Sequence, residues 1–171
     1  MSADEVAGAP PGFVELPMFG TGGFNSLCGP LWVRVEGVKL VGGFRVETRH
    51  CNPAGNCHGG MLATFCDVHM ALGTQFEHTL GTLILPTISL SIDYLAPTLK
   101  GAWVEAQVEI AKLTRGMVFA SETITADGEP VARASGIYKI PSLSREPGAG
   151  KPADTGASLR AFLKVRNETA S

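Results

Sequence analysis

The sequence predicts an α+β domain in which an antiparallel sheet of about six strands curls around one long buried helix, and three observations predict it. Between Gly60 and Phe76 apolar residues fall on nearly every face of a helical projection, the pattern of a helix enclosed by protein. Two strand-like runs precede it and four follow, all with short, turn-rich connections. At 171 residues and 44% hydrophobic composition, the chain has enough apolar material for one sizeable core, with tails.

The elements follow in order. Residues 1–28 carry so many Gly and Pro that they read as an irregular leader, with at most a turn of helix near Phe13 to Phe19. The domain proper spans 29–141. It opens with a hairpin, 30–36 and 39–48, turning at Gly37. Residues 51–60 form a loop rich in Gly, Pro and Asn, and the buried helix comes next. Strands are expected at 87–94, 102–111, 117–126 and 130–140, separated by turn signals at 96–98, 114–116 and 127–129, and together they read as a meander. Residues 142–171 are a linker and short tail, in which Leu159, Phe162, Leu163 and Val165 give 158–166 one apolar side of a helix.

Composition excludes several classes. Fourteen Lys and Arg against sixteen Asp and Glu give a net charge of −2, so no broad basic field exists for nucleic acid or an anionic membrane. No apolar run approaches the ~20 residues that cross a bilayer. The acidic N-terminus lacks the basic and apolar regions of a secretory signal, which makes the cytoplasm the expected location. Cys28, Cys51, Cys57 and Cys66 are expected to stay free thiols. His50, Cys51, Cys57 and His58 lack the spacing of a structural zinc site, so no metal is expected.

Asp67 is the only carboxylate of the predicted helix. Ionised in an apolar setting it costs several kcal/mol unless compensated. It reads either as a nucleophile or general base in a partly dry pocket, or as a carboxylate satisfied at a dimer seam. His58, Gly59 and Gly60 stand just before the helix, where backbone N–H groups lack partners and the dipole favours negative charge. Either glycine amide could hold an oxyanion, or the glycines serve only to turn the chain into the helix. Asn52 and His58 could converge on a carbonyl, or be an ordinary turn initiator and a surface His. His50, His69 and His78 read as bland.

Taken together, Asn52, Gly55, His58-Gly59-Gly60 and Asp67, followed by Thr87, Ile92-Asp-Tyr94-Leu-Ala-Pro97, Arg115-Gly116-Met-Val-Phe-Ala and Ala132-Arg133-Ala-Ser-Gly, resemble the hotdog-fold acyl-CoA thioesterases of the PaaI-like, phenylacetic acid degradation type, over roughly residues 27–140. The resemblance implies a helix wrapped by a curved sheet, edge-to-edge homodimers or homotetramers, and active sites shared between protomers. It implies Asp67 as nucleophile or base, the Gly59 amide holding the thioester oxygen, His58 and Asn52 positioning the thioester, and Thr87, from the partner chain, orienting water.

Hydrolysis of an acyl-CoA to free acid and coenzyme A needs no cofactor, coenzyme A being part of the substrate. Arg115, Lys112 and Lys100 are candidates for its phosphates, and Met61, Phe65 and Met70 for the acyl pocket. Two other functions fit the same fold: hydration or dehydration of an enoyl-thioester, and non-catalytic acyl-CoA binding.

Overall fold

The computed structural model describes residues 8–17, 22–82, 84–141 and 154–169. Its first element, β1 (Val14–Glu15), runs where a helical turn was expected. Extended chain wins there because it meets partners on two sides. Leu16, just beyond, is buried and donates its N–H to Leu31 O at 2.9 Å, while the Phe13 ring lies edge-on to Trp103 at 4.9 Å. A short helix, α1 (Phe24–Cys28), leads into the hairpin of β2 (Trp32–Glu36) and β3 (Lys39–Arg45), which turns at Gly37 with φ +60°.

A single 3-10 turn at Thr48–His50 and the Gly-rich loop then deliver the chain to α2 (Gly59–Glu77). Phe65, Cys66, His69 and Met70 are sealed from solvent against the sheet. Ala63, Thr64, Asp67, Val68 and Ala71, spaced by the helical repeat, form one half-exposed stripe. The helix therefore has a partly solvated face that its composition conceals.

Five strands leave the far side: β4 (Thr87–Tyr94), a bent pair β5 (Trp103–Gln107) and β6 (Glu109–Leu113), β7 (Met117–Ala126) and β8 (Glu129–Lys139). Among the described residues the sheet has eight strands rather than about six, in the order β1-β2-β3-β5-β7-β8-β4, with β6 also on β7. Two differences from the expected meander matter. The strand expected at 102–111 is broken at Val108, whose side chain is buried and whose carbonyl accepts from Lys39 Nζ at 3.1 Å. And β4 pairs not with β5 but with β8, Thr87 opposite Tyr138, which leaves β4 as a sheet edge. The β7–β8 hairpin closes through Asp127 and Gly128, at φ +49° and +91°, the left-handed pair a tight two-residue hairpin requires.

Sheet and helix meet closely at Gly42, where an added Cβ would lie 2.3 Å from the His69 ring. Around that contact Phe44, Phe65, Met70, Val104, Ile124 and Tyr138 are fully buried, each large apolar side chain contributing about 1.5–3 kcal/mol. The last helix, α3 (Thr155–Thr169), is longer than expected and docks through buried Leu159 and Leu163. Arg160 donates to the Gln75 and Phe76 carbonyls, satisfying acceptors at the C-terminal end of α2. The expected linker after Pro141 lies outside the described residues as far as 153. Among the described residues no helix is long and apolar enough to cross a membrane.

Candidate active site

The site is assembled at both ends of one stretch of α2. At its start His58 is the N-cap, with φ −65° and ψ 135°, and its Nδ1 accepts the Gly60 N–H at 2.8 Å. The Met61 and Leu62 amides turn back to His58 O. Of the first amides of the helix only that of Gly59 has no partner among the described residues. The two glycines expected to share an oxyanion role therefore differ: His58 already occupies Gly60. With Nδ1 accepting, the ring proton of neutral His58 sits on Nε2, which is available as a donor.

Asn52 closes the preceding loop. Its Oδ1 accepts the Ala54 and Asn56 amides at 2.9 and 3.3 Å, an Asx-type turn that leaves Nδ2 without a partner among the described residues. Asn52 and Gly59 border the same open cleft of about 430 Å³, with Leu62 below and Tyr94 and Leu95 alongside. Tyr94 lies across Gly59: its hydroxyl donates to Gly59 O at 2.8 Å, and a Cβ on Gly59 would come within 3.1 Å of its ring. A second cleft of about 280 Å³, on the other side of His58, is bordered by Gly60, Met61 and Thr64 of α2 and by Phe24 and Leu27 of α1.

Asp67 sits on the half-exposed stripe, and Thr87 Oγ1 donates to its Oδ1 at 2.5 Å within the same chain. That corrects the expectation that Thr87 serves from the partner: the first residue of β4 and the middle of α2 make one unit. Behind them the buried Tyr138 hydroxyl approaches Asp67 O at 3.4 Å, and burial pushes that phenol's pKa far up, so it stays a neutral donor. Eight residues of helix separate Gly59 from Asp67, about 12 Å at 1.5 Å per residue. Within one chain the carboxylate and the free amide cannot hold the same carbonyl.

The other expected residues are placed less centrally. Phe65 does not line either cleft: it is 1% exposed, stacked on His69 at 5.3 Å and packed on Phe44, and Met70 is buried with it. Lys112 is exposed on β6, opposite Phe119. Arg115 is exposed in the turn before β7, and that turn is tied to the sheet end where β4 begins, Gly116 O accepting from Ile140 N and Pro86 O from Lys139 N. Among the described residues no cluster of His, Cys, Asp and Glu could hold a metal ion.

Two groups that looked bland are structural. His69 Nδ1 lies 2.7 Å from Glu122 Oε2 and its Nε2 3.3 Å from Leu40 O, all buried. His50 is buried too, its Nδ1 accepting the Glu47 N–H at 3.0 Å. Glu122 falls at an inward position of β7, between Ala120 and Ile124, and a carboxylate on the apolar face of a strand was the available signal.

A central helix held in a curled antiparallel sheet is the architecture of the hotdog thioesterase class. A family model described as the thioesterase superfamily matches residues 54–132. The candidate esterase PA0474 of Pseudomonas aeruginosa is 32% identical over 133 residues, 77% of this chain and 97% of that protein. Zebrafish thioesterase superfamily member 2 superposes at TM-score 0.64 with 21% identity, covering 73% of this chain and 92% of its own. A point mutant of the phenylacetic acid degradation protein PaaI of Thermus thermophilus superposes at TM-score 0.56 with 25% identity, covering 64% and 91%. The chain belongs to the thioesterase superfamily and is a thioesterase.

Proposed function

We propose that the protein hydrolyses an acyl-CoA at a site built from two protomers, Asp67 and Thr87 of one facing His58, Asn52 and Gly59 of the other. The observation that carries this is the separation along α2: a complete donor-and-base set exists only if a second copy supplies the missing half. The edge strand β4 supports the pairing. It is eight residues long, has one neighbour, and exposes Ile88 and Tyr94, an edge suited to another strand. A two-fold axis there would extend the sheet and set the helices side by side in opposite directions.

In that arrangement Asp67 is the general base. Thr87 donates to Oδ1, which holds the carboxylate in place and leaves Oδ2 to take a proton from water. The water attacks the thioester carbonyl, the Gly59 amide holds the oxygen as it gains charge, and the thiolate departs as the carbonyl re-forms. His58 Nε2 and Asn52 Nδ2 orient the thioester. Arg115 and Lys112 meet the coenzyme A phosphates, and the acyl group enters the cleft between Met61 and α1.

Enoyl-thioester hydration is less well supported. Dehydration needs a proton acceptor at the acyl α-carbon, and hydration needs the same group to return that proton; His58, whose Nδ1 lone pair is held by the Gly60 N–H, has no free lone pair to accept it. The test is thiol release from short, medium, long and aromatic acyl-CoAs by wild type and Asp67→Asn. Release by wild type alone supports the reading. Binding without release overturns it in favour of a carrier, and enoyl formation or loss in favour of a hydratase. Single turnover in heavy-oxygen water separates base from nucleophile, since only a nucleophilic Asp67 would acquire the label.

A further inference from the structure

The loop that carries Asn52 is closed at its base by two cysteines, and nothing in hydrolysis uses them. Cys51 and Cys57 face each other in an isolated antiparallel bridge. The flanking hydrogen bonds, Asn52 N to Asn56 O at 2.8 Å and His58 N to His50 O at 2.7 Å, make Cys51 and Cys57 a non-hydrogen-bonded pair. In such a pair the side chains share a face and the Cα atoms approach to about 4.5 Å, inside the span a disulfide bridges. Both thiols are free.

We propose that Cys51 and Cys57 are a reversible intramolecular disulfide site, oxidised by small-molecule disulfides of the glutathione type, which locks the Asn52 loop to the start of α2.

The order of events follows from exposure. Cys51 is half-buried and makes only a weak contact, Sγ to Glu47 O at 3.3 Å, which rotation about Cα–Cβ releases. Cys57 is buried, and burial pushes its pKa up to about 12. Cys51 thiolate therefore attacks one sulfur of the oxidised disulfide and expels one thiolate, giving a mixed disulfide on Cys51. Cys57 then gives its proton to solvent and attacks the Cys51 sulfur, expelling the second thiol. The net change converts two protein thiols and one small disulfide into one protein disulfide and two small thiols. The second step is the slow one. Cys66, more deeply buried and with its pKa pushed far higher, and Cys28 on α1 take no part.

The experiment treats the full chain with oxidised glutathione, quenches with acid, alkylates under denaturing conditions and maps peptides by mass. The expected result is loss of alkylation at Cys51 and Cys57 only, a linked peptide joining them, and full reversal by dithiothreitol. Cys57→Ser and Cys57→Ala should instead retain one glutathione on Cys51. A lasting glutathione adduct in wild type, a bridge through Cys28 or Cys66, or four alkylated cysteines after prolonged oxidation would each overturn the proposal. The readout on wild type requires neither variant to fold and no activity, so it stands apart from the hydrolysis assay.

Discussion

Thr87 Oγ1 donates to Asp67 Oδ1 at 2.5 Å, joining the first residue of an edge strand to the middle of the buried helix within one chain. That hydrogen bond fixes the carboxylate's rotamer. Asp67→Asn keeps the shape and removes the base, and should lower kcat on the order of 10²–10⁴-fold with unchanged circular dichroism. Thr87→Ala leaves the base but frees it to turn, and should cost about tenfold in kcat, KM moving less. Thiol-release kinetics check both. A wild-type rate in Asp67→Asn removes that residue from the mechanism.

The Gly59 amide can be deleted without unwinding the helix. Proline is tolerated at the first helical position, and His58, with ψ 135°, already has the conformation a following proline demands. The nearest atoms to a Cβ at Gly59 belong to the outer part of Tyr94, an exposed side chain that can shift. Gly59→Pro should lower kcat about 10²- to 10³-fold, as loss of an oxyanion donor does. Mixed and reassociated with Asp67→Asn, it should recover up to ~25% of wild-type activity, because half the dimers are mixed and each holds one intact site. Two inactive variants that stay inactive when mixed would show that sites are not shared.

The helix, the Gly37 and Asp127-Gly128 turns and the strands 87–94 and 117–126 were legible because each is local: a continuous apolar run, a φ-permissive pair, an alternating stretch. What was not legible depends on distant chain. That β4 pairs with β8 rather than β5 follows from which edge the helix leaves open, and that Thr87 reaches Asp67 of its own chain follows from that pairing. The extended Val14–Glu15 is decided by Leu31 and Trp103, and Phe65 is sealed by Phe44 and His69. The division between Gly59 and Gly60 turns on one rotamer of His58. Except for that last case, where a neighbouring side chain's rotamer decides, a deciding partner lies outside the window in which a pattern is read.

His69 and Glu122 illustrate the same limit energetically. The pair is buried, 2.7 Å apart, and Glu122 Oε1 has no partner among the described residues, so removing one member strands the other. Glu122→Ala should destabilise the fold by about 3–5 kcal/mol, read as a lower urea midpoint. Glu122→Gln retains a hydrogen-bonding group at the same place and should cost less. Equal losses for the two would mean that packing, not pairing, is what Glu122 supplies.

Acid should act on the fold through His50. Its ring is buried edge-on to Phe44, its Nδ1 accepts the Glu47 amide, and its carbonyl accepts the His58 N–H that leads into the helix cap. Burial foremost, and the Arg49 guanidinium next, lower its pKa below the ordinary 6.5, the Glu47 carboxylate opposing them more weakly. The unfolded chain therefore takes up the proton first as pH falls through 6.5, and stability declines from there down to the folded-state pKa; above 6.5 the effect is absent. Asn in its place keeps an acceptor for the Glu47 amide but does not titrate. Between about pH 7.5 and about pH 5 the wild type should lose more unfolding free energy than His50→Asn, and the difference between their urea midpoints isolates this residue from the carboxylates they share. Because His50 O anchors His58, thiol release should decline over the same interval more steeply in wild type than in the variant. Parallel pH profiles for the two proteins would show that His50 takes up its proton equally in the folded and unfolded states and that the acid response originates elsewhere.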